Sequence, residues 1–117
     1  MLSVGLNAKS QVARFPEVTA LVVSDISGAL IDATGEVDGE SIAAIIAVAV
    51  RSLNAIGDQL GIGCLKRASL TGVGLACVLA VNDQELFGVY VDPTKPLGAF
   101  EKRLDGLLHP PSLRFER

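Results

Sequence analysis

The sequence predicts an α+β domain of three layers, a five-stranded antiparallel sheet with helices on both faces. Three observations predict it. Apolar and β-branched segments come in two groups, two before and three after a long apolar helix, so the order reads helix, two strands, long helix, three strands, helix. Connections within each strand group are a few residues long, and turns that tight join antiparallel neighbours, because parallel ones need a crossover of a dozen residues or more. The chain has 117 residues, enough for the core of one domain and too few for two.

Each element has a local cause. Leu6, Val12 and Phe15, with polar residues between them, suit a short first helix that Pro16 ends. From Thr19, TALVVSD reads as a strand, Ile26, Ser27 and Gly28 as a turn, and ALIDAT as the returning strand of a hairpin. Asp38 suits an N-cap, its carboxylate accepting from free backbone N–H groups, with Glu40 near the positive helix end. The long helix therefore starts near Gly39, and Gly57, Gly61 and Gly63 stop it. Cys64 to Thr71 is the third strand, the continuous apolar run LACVLAVN from Leu75 a central fourth, and Leu86 to Val91 the fifth, with Phe87, Val89 and Val91 on one face. Thr94 is expected to cap a last helix that Pro96 opens, on which Leu97, Phe100, Leu104 and Leu107 share a face before His109, Pro110 and Pro111 break it.

The long helix carries two apolar series. Ile42, Ile46, Ala49, Leu53, Ile56 and Leu60 make a seam expected to lie on the sheet. About 100° around the axis run Ala43, Ala47, Val50, Asn54, Gly57 and Gly61, mostly small, where another backbone can approach closely. Only Glu40, Arg51 and Asp58 give a charged face. A lone domain leaves most of such a helix polar, so the surplus apolar surface points to a second copy of the chain; the competing reading buries the whole helix inside its own fold.

Composition bounds the function. A formal net charge of −3, with the ten basic residues scattered, argues against a nucleic-acid surface. The longest uninterrupted apolar run, Ile42 to Val50, falls short of the roughly 20 residues of a membrane span, and the N-terminus shows no export signal, so a cytoplasmic protein is expected. Cys64 and Cys77 then read as free thiols rather than a disulfide. His109 is the only histidine, too little for a zinc site or an ordinary hydrolytic site. Asp25, Asp32, Asp38 and Glu40 lack the spacing of a calcium loop and suit turns and caps. The glycines around Ile62 and Val73 lack the continuation of a phosphate loop. Neither a cofactor nor a metal is expected.

Phe15-Pro16-Glu17-Val18, then Val22-Val23-Ser24-Asp25 with Gly28, Asp38 with Ser41-Ile42-Ala43-Ala44, and Asp92 with Leu97-Gly98 together resemble the Roadblock (dynein light chain 7) family over about Phe15 to Leu108. That family includes bacterial gliding-type GTPase regulators and scaffold subunits that hold Ras-like GTPases on lysosomes. The resemblance implies one domain over residues 1–108 with a tail at 109–117, strand order 2-1-5-4-3, and a homodimer formed through the long helix and the third strand. Ala43, Ala47, Val50 and Asn54 on the helix, with Leu65, Arg67 and Ser69 on the edge strand, are the expected contacts. Lys66 and Arg67 oppose strand pairing there, since edge lysines discourage it. The implied function is a non-enzymatic regulator or scaffold for a Ras-like small GTPase, docked on Glu40, Arg51, Asn54 and Asp58. The alternative is a small-molecule-sensing module of profilin-like or PAS-like type, which would need convergent polar groups in an apolar pocket.

Overall fold

A computed structural model of the chain describes residues 10–94 and 96–109, so Leu6 and the segment from 110 to 117 lie outside the described residues. Five strands form one antiparallel sheet: β1 (Val18–Asp25), β2 (Leu30–Thr34), β3 (Arg67–Thr71), β4 (Ala76–Asn82) and β5 (Glu85–Val91), in the order β2-β1-β5-β4-β3. The long helix runs Gly39–Leu60 and the last helix Leu97–Leu108. Both the α+β class and the strand order are as expected.

Registers place the two cores. Val22 faces Gly88 and Val23 faces Phe87, while Val78 faces Val89. Odd-numbered residues of β5 thus point to the last helix, where Leu21, Val23, Val78, Phe87, Val89 and Val91 pack with Val12, Phe100, Leu104 and Leu108. On the opposite face Val22, Leu79 and Leu86 pack under the long helix. Burial on both sides explains the unbroken apolar reading of β4. Residues 10–13 are helical, and Phe15 beyond them meets the Phe100 ring edge-on at 5.7 Å between centroids. Arg103 stacks 5.1 Å from the Phe15 ring centroid and pairs with Glu17.

The long helix begins as its sequence dictates. The Asp38 side chain accepts hydrogen bonds from the backbone N–H (3.4 Å) and Oγ (2.9 Å) of Ser41. Gly61 ends the helix in the left-handed region at φ 76°, its N–H reaching the Asp58 carbonyl. Upstream, Gly35 at φ 87° leaves no space for a side chain: a Cβ there would lie 2.7 Å from the Thr19 carbonyl oxygen and 2.8 Å from the Ala20 Cβ. The loop from 35 to 37 is therefore pressed onto β1.

Two boundaries differ from expectation. The third strand starts at Arg67, not Cys64, because the chain from Gly61 to Lys66 first crosses the end of the long helix. Thr94 does not cap the last helix: its N–H and hydroxyl both donate to Asp92, and Pro96 occupies the cap position without a side-chain bond.

An ionic cluster ties β3 to the last helix. Arg67 lies 3.2 Å from Glu101 and 3.1 Å from Asp105, the Ser69 hydroxyl donates to Glu101 at 2.6 Å, and Lys66 sits 3.7 Å from Asp105. His109, expected as the first tail residue, instead packs on the domain, with Nδ1 3.0 Å from Asp105 and Nε2 2.9 Å from the Val81 carbonyl. Partial burial alone would raise the Asp105 carboxyl, but the His109 hydrogen bond and the charges of Lys66 and Arg67 hold it below the ordinary aspartate value.

Two predictions follow from this architecture. Gly61→Ala, with open space around it, should cost only the left-handed backbone, about 1 kcal/mol. Gly35→Ala adds a clash with backbone and should cost about 2 kcal/mol or more; urea unfolding of both variants checks the ranking, and equal losses would refute it. For Asp105, a lowered folded value means stabilisation that is present above the unfolded value near 4 and lost as pH falls through the folded one. Asp105→Asn should lower the urea midpoint at pH 7, with the gap to wild type closing below about pH 4. A gap independent of pH would contradict the cluster's role.

Candidate functional site

Rotation of the long helix decides what the chain offers a partner. Ala43, Ile46, Ala47, Val50 and Gly57 are its buried residues. The small-residue stripe thus lies on the chain's own sheet, and Ala43, Ala47 and Val50, expected to meet a second copy, are covered by Val22, Leu79 and Leu86. The cause is close approach. A Cβ on Gly88 of β5 would fall 2.4 Å from the Ile46 Cδ1, and one on Gly28 of the hairpin would fall 3.4 Å from the Ala47 Cβ. Small residues on the helix and glycines beneath it fit together; a seam of isoleucines and leucines would hold the helix further off.

Ile46 of the bulky seam is buried with the small stripe, while other bulky residues are turned outward. Ile45 is 61% exposed, Val48 54%, Ile56 52% and Leu60 68%. Ile42, Ala49 and Leu53 are half-buried on the same side, packed against the core beneath the helix. This flank runs into a groove of about 370 Å³ beside the start of β3, walled by Leu53, Ile56, Leu60, Ile62 and Leu65. Leu70, on the open edge strand, is also exposed.

Of the other expected contacts, Leu65 lines the groove, whereas the side chains of Arg67 and Ser69 turn to the last helix. They are held by Glu101, leaving the backbone edge of β3 as what the strand presents. Asn54 has a duty within the chain: its Oδ1 accepts from the Leu65 N–H at 2.6 Å. Three residues on, a Cβ at Gly57 would lie 2.7 Å from the Gly63 carbonyl oxygen. Asn54 and Gly57 together strap the 61–65 connection over the helix end. The signal for this was present, a lone amide and a glycine one turn apart on an apolar stripe.

Glu40, Arg51 and Asp58 are all exposed, and spacings of eleven and seven residues put them on one ridge, since both are near whole numbers of turns. The acidic residues have local duties. Asp25 Oδ1 accepts from the N–H groups of Ser27 and Ala29 and from the Ser27 hydroxyl, bonds that hold its carboxyl below the usual range, the Ser27 hydroxyl foremost. Asp32 accepts from the Ala33 N–H. Among the described residues no group of three His, Cys, Asp or Glu side chains is placed to hold a metal ion. Both cysteines are free; burial pushes the Cys77 thiol up to about 11, which leaves almost no thiolate near neutral pH. By length and composition alone the 22-residue long helix could cross a membrane, a point the uninterrupted-run argument missed, but here one side of it lies on the sheet.

By sequence, no family model matches the chain and no curated protein matches it. By structure, it is similar to Myxococcus xanthus MglB, with a TM-score of 0.73 at 16% identity over 86% of this chain and 82% of that one. A Roadblock/LC7 domain from Streptomyces avermitilis superposes with a TM-score of 0.74 at 13% identity, covering 90% of this chain and 91% of that one. A structure of MglB with a tetrameric arrangement gives 0.73 at 16% identity, over 88% and 83%. At such identities the shared property is the path of the backbone, and the chain has the Roadblock fold in an MglB-like form.

Proposed function

We propose that this chain is a self-associating, non-enzymatic regulator or scaffold that acts in the cytoplasm on a Ras-like small GTPase. The observation that carries it is the outward apolar flank of the long helix beside an unpaired strand edge. A second copy covers that flank through Ile45, Ala49, Leu53 and Ile56, in place of the small-residue stripe expected from sequence. Covering a half-exposed isoleucine or leucine contributes on the order of 1 kcal/mol, while association costs at least about 4 kcal/mol. Three such residues and an alanine from each copy leave only a small surplus, so the groove and the open edge of β3 belong to the same contact. The tetrameric arrangement of a structurally similar MglB supports self-association, and the Roadblock fold supports the GTPase.

Docking falls to the ridge of Glu40, Arg51 and Asp58, now without Asn54. In this reading the protein contributes no catalytic side chain and acts by binding one nucleotide state of the GTPase more tightly than the other, which shifts populations only as far as those affinities differ. Residues 1–108 are proposed as the domain that does this, His109 closing it. The sensing alternative gains nothing specific, since the groove beside β3 is walled mainly by apolar residues and open to solvent.

Light scattering at micromolar concentration should give twice the 12.2 kDa of one chain. Ile45→Glu with Ile56→Lys should give the monomer mass with an unchanged circular dichroism spectrum; a wild-type monomer would remove the pairing. Titration with the Ras-like GTPase encoded nearest in the same genome, loaded with GDP or a non-hydrolysable GTP analogue, should show a preference for one state. Arg51→Glu with Asp58→Lys should weaken that binding about tenfold, some 1.4 kcal/mol, without changing the mass. No binding in either state would overturn the regulatory reading.

A further inference from the structure

Another cavity, sharing no residue with the groove, lies where the loop before the long helix meets β1 and β5. It measures about 240 Å³ and is lined by Thr19, Ala20, Glu36, Val37, Leu75 and Tyr90. Its walls are fixed. Gly35 is pressed against the Thr19 carbonyl and Ala20, and the Val37 N–H closes on the Gly35 carbonyl at 3.2 Å, so the loop carrying Glu36 and Val37 has one seat on β1. The Thr19 hydroxyl donates to the Tyr90 backbone carbonyl, joining the neighbouring strands at the floor. Partial burial, with Cys77 nearby, pushes the Tyr90 phenol up, so it is neutral near pH 7.

Size and charge select the occupant. Ligand pockets for whole small molecules run from about 300 to 1,000 Å³, and this notch is below that range while ample for one side chain. Its polar parts are a carboxylate, a phenol and a threonine hydroxyl; the rest is aliphatic. A cation with an apolar stem matches, and arginine matches better than lysine, because a planar guanidinium can take both oxygens of Glu36 and lie on the Tyr90 ring while its methylenes cover Val37 and Leu75. We propose that this notch is an anchor site for an arginine side chain displayed by a protein partner, with Glu36 as the charge partner and Tyr90 as the stacking surface.

The test uses the full chain, labelled with nitrogen-15, titrated with the capped tripeptides Gly-Arg-Gly, Gly-Lys-Gly and Gly-citrulline-Gly while amide shifts are followed. The arginine peptide should cause saturable shifts confined to the amides of 19–20, 36–37, 75 and 90. Citrulline, which keeps the shape and lacks the charge, should bind about two- to fivefold more weakly, the range of an exposed carboxylate–guanidinium contact. Lysine should fall between them. Glu36→Gln should reduce arginine binding to the citrulline level, and Tyr90→Phe should leave it nearly unchanged, because the ring face is kept. The proposal is overturned by the absence of saturable shifts at those amides, by equal binding of arginine and citrulline, or by a Glu36→Gln variant that binds as wild type does while its spectrum shows an intact fold.

Discussion

The close seating of the long helix on the sheet is the constraint from which the other surfaces follow. Ile46 reaches over a glycine in β5, and Ala47 meets a glycine in the first hairpin. Each contact pairs a side chain with a position that has none. Dispersion falls off within an ångström of separation, so this interlocking supplies packing that a looser helix would forfeit. It also fixes the rotation of a helix that is apolar on more than one side. Once the small stripe faces inward, Ile45, Val48, Ile56 and Leu60 have nowhere to go but out.

The opposite face is held differently. There the large side chains Phe87, Phe100 and Leu104 fill the space beneath an amphipathic helix, and the margin is fastened by charge. Arg67 bridges two carboxylates one helical turn apart, with Lys66 and His109 close by. These are partly exposed pairs, so each is weak, and their effect is to orient rather than to drive folding. Orientation matters for the edge: Arg67, one of the two charges that would discourage pairing, is drawn toward the last helix, and Lys66 leans to Asp105 from outside the strand. The sequence argument against an open edge thereby loses its force.

Much of this was legible in the residues. Strand positions and antiparallel pairing follow from apolar runs bounded by turns, and the helix limits follow from Asp38 and Gly61, because both are set by contacts within a few residues. Rotation of the long helix was not legible. Two apolar series about 100° apart were both fit to face the sheet, and choosing between them requires knowing that Gly88 and Gly28 sit beneath the helix, residues far away in sequence. Of the bulkier series Ile46 is buried and Ile42, Ala49 and Leu53 are half-buried, while Ile56 and Leu60 stay exposed, because shape puts the small stripe at the centre of the contact. The bond from the Leu65 backbone N–H to Asn54 was not legible for a related reason, since no side-chain pattern reveals it. Thr94 turned back to Asp92 where a cap was expected, a local competition between two polar neighbours.

The helix cross-section now divides into three arcs: small residues on the sheet, bulky apolar residues on one outer flank, and the charged ridge of Glu40, Arg51 and Asp58 on the other. A two-fold contact uses the same patch on both copies. Pairing through the apolar flank, as proposed, therefore buries the two flanks against each other and leaves both ridges facing solvent, each available to a partner. Had the small stripe faced outward, Ile56 and Leu60 would join Ile46 on the sheet, and less apolar area would be left to offset the cost of association. The inward placement of the alanines is thus what makes self-association plausible for so small a domain, the reverse of the argument their size first suggested.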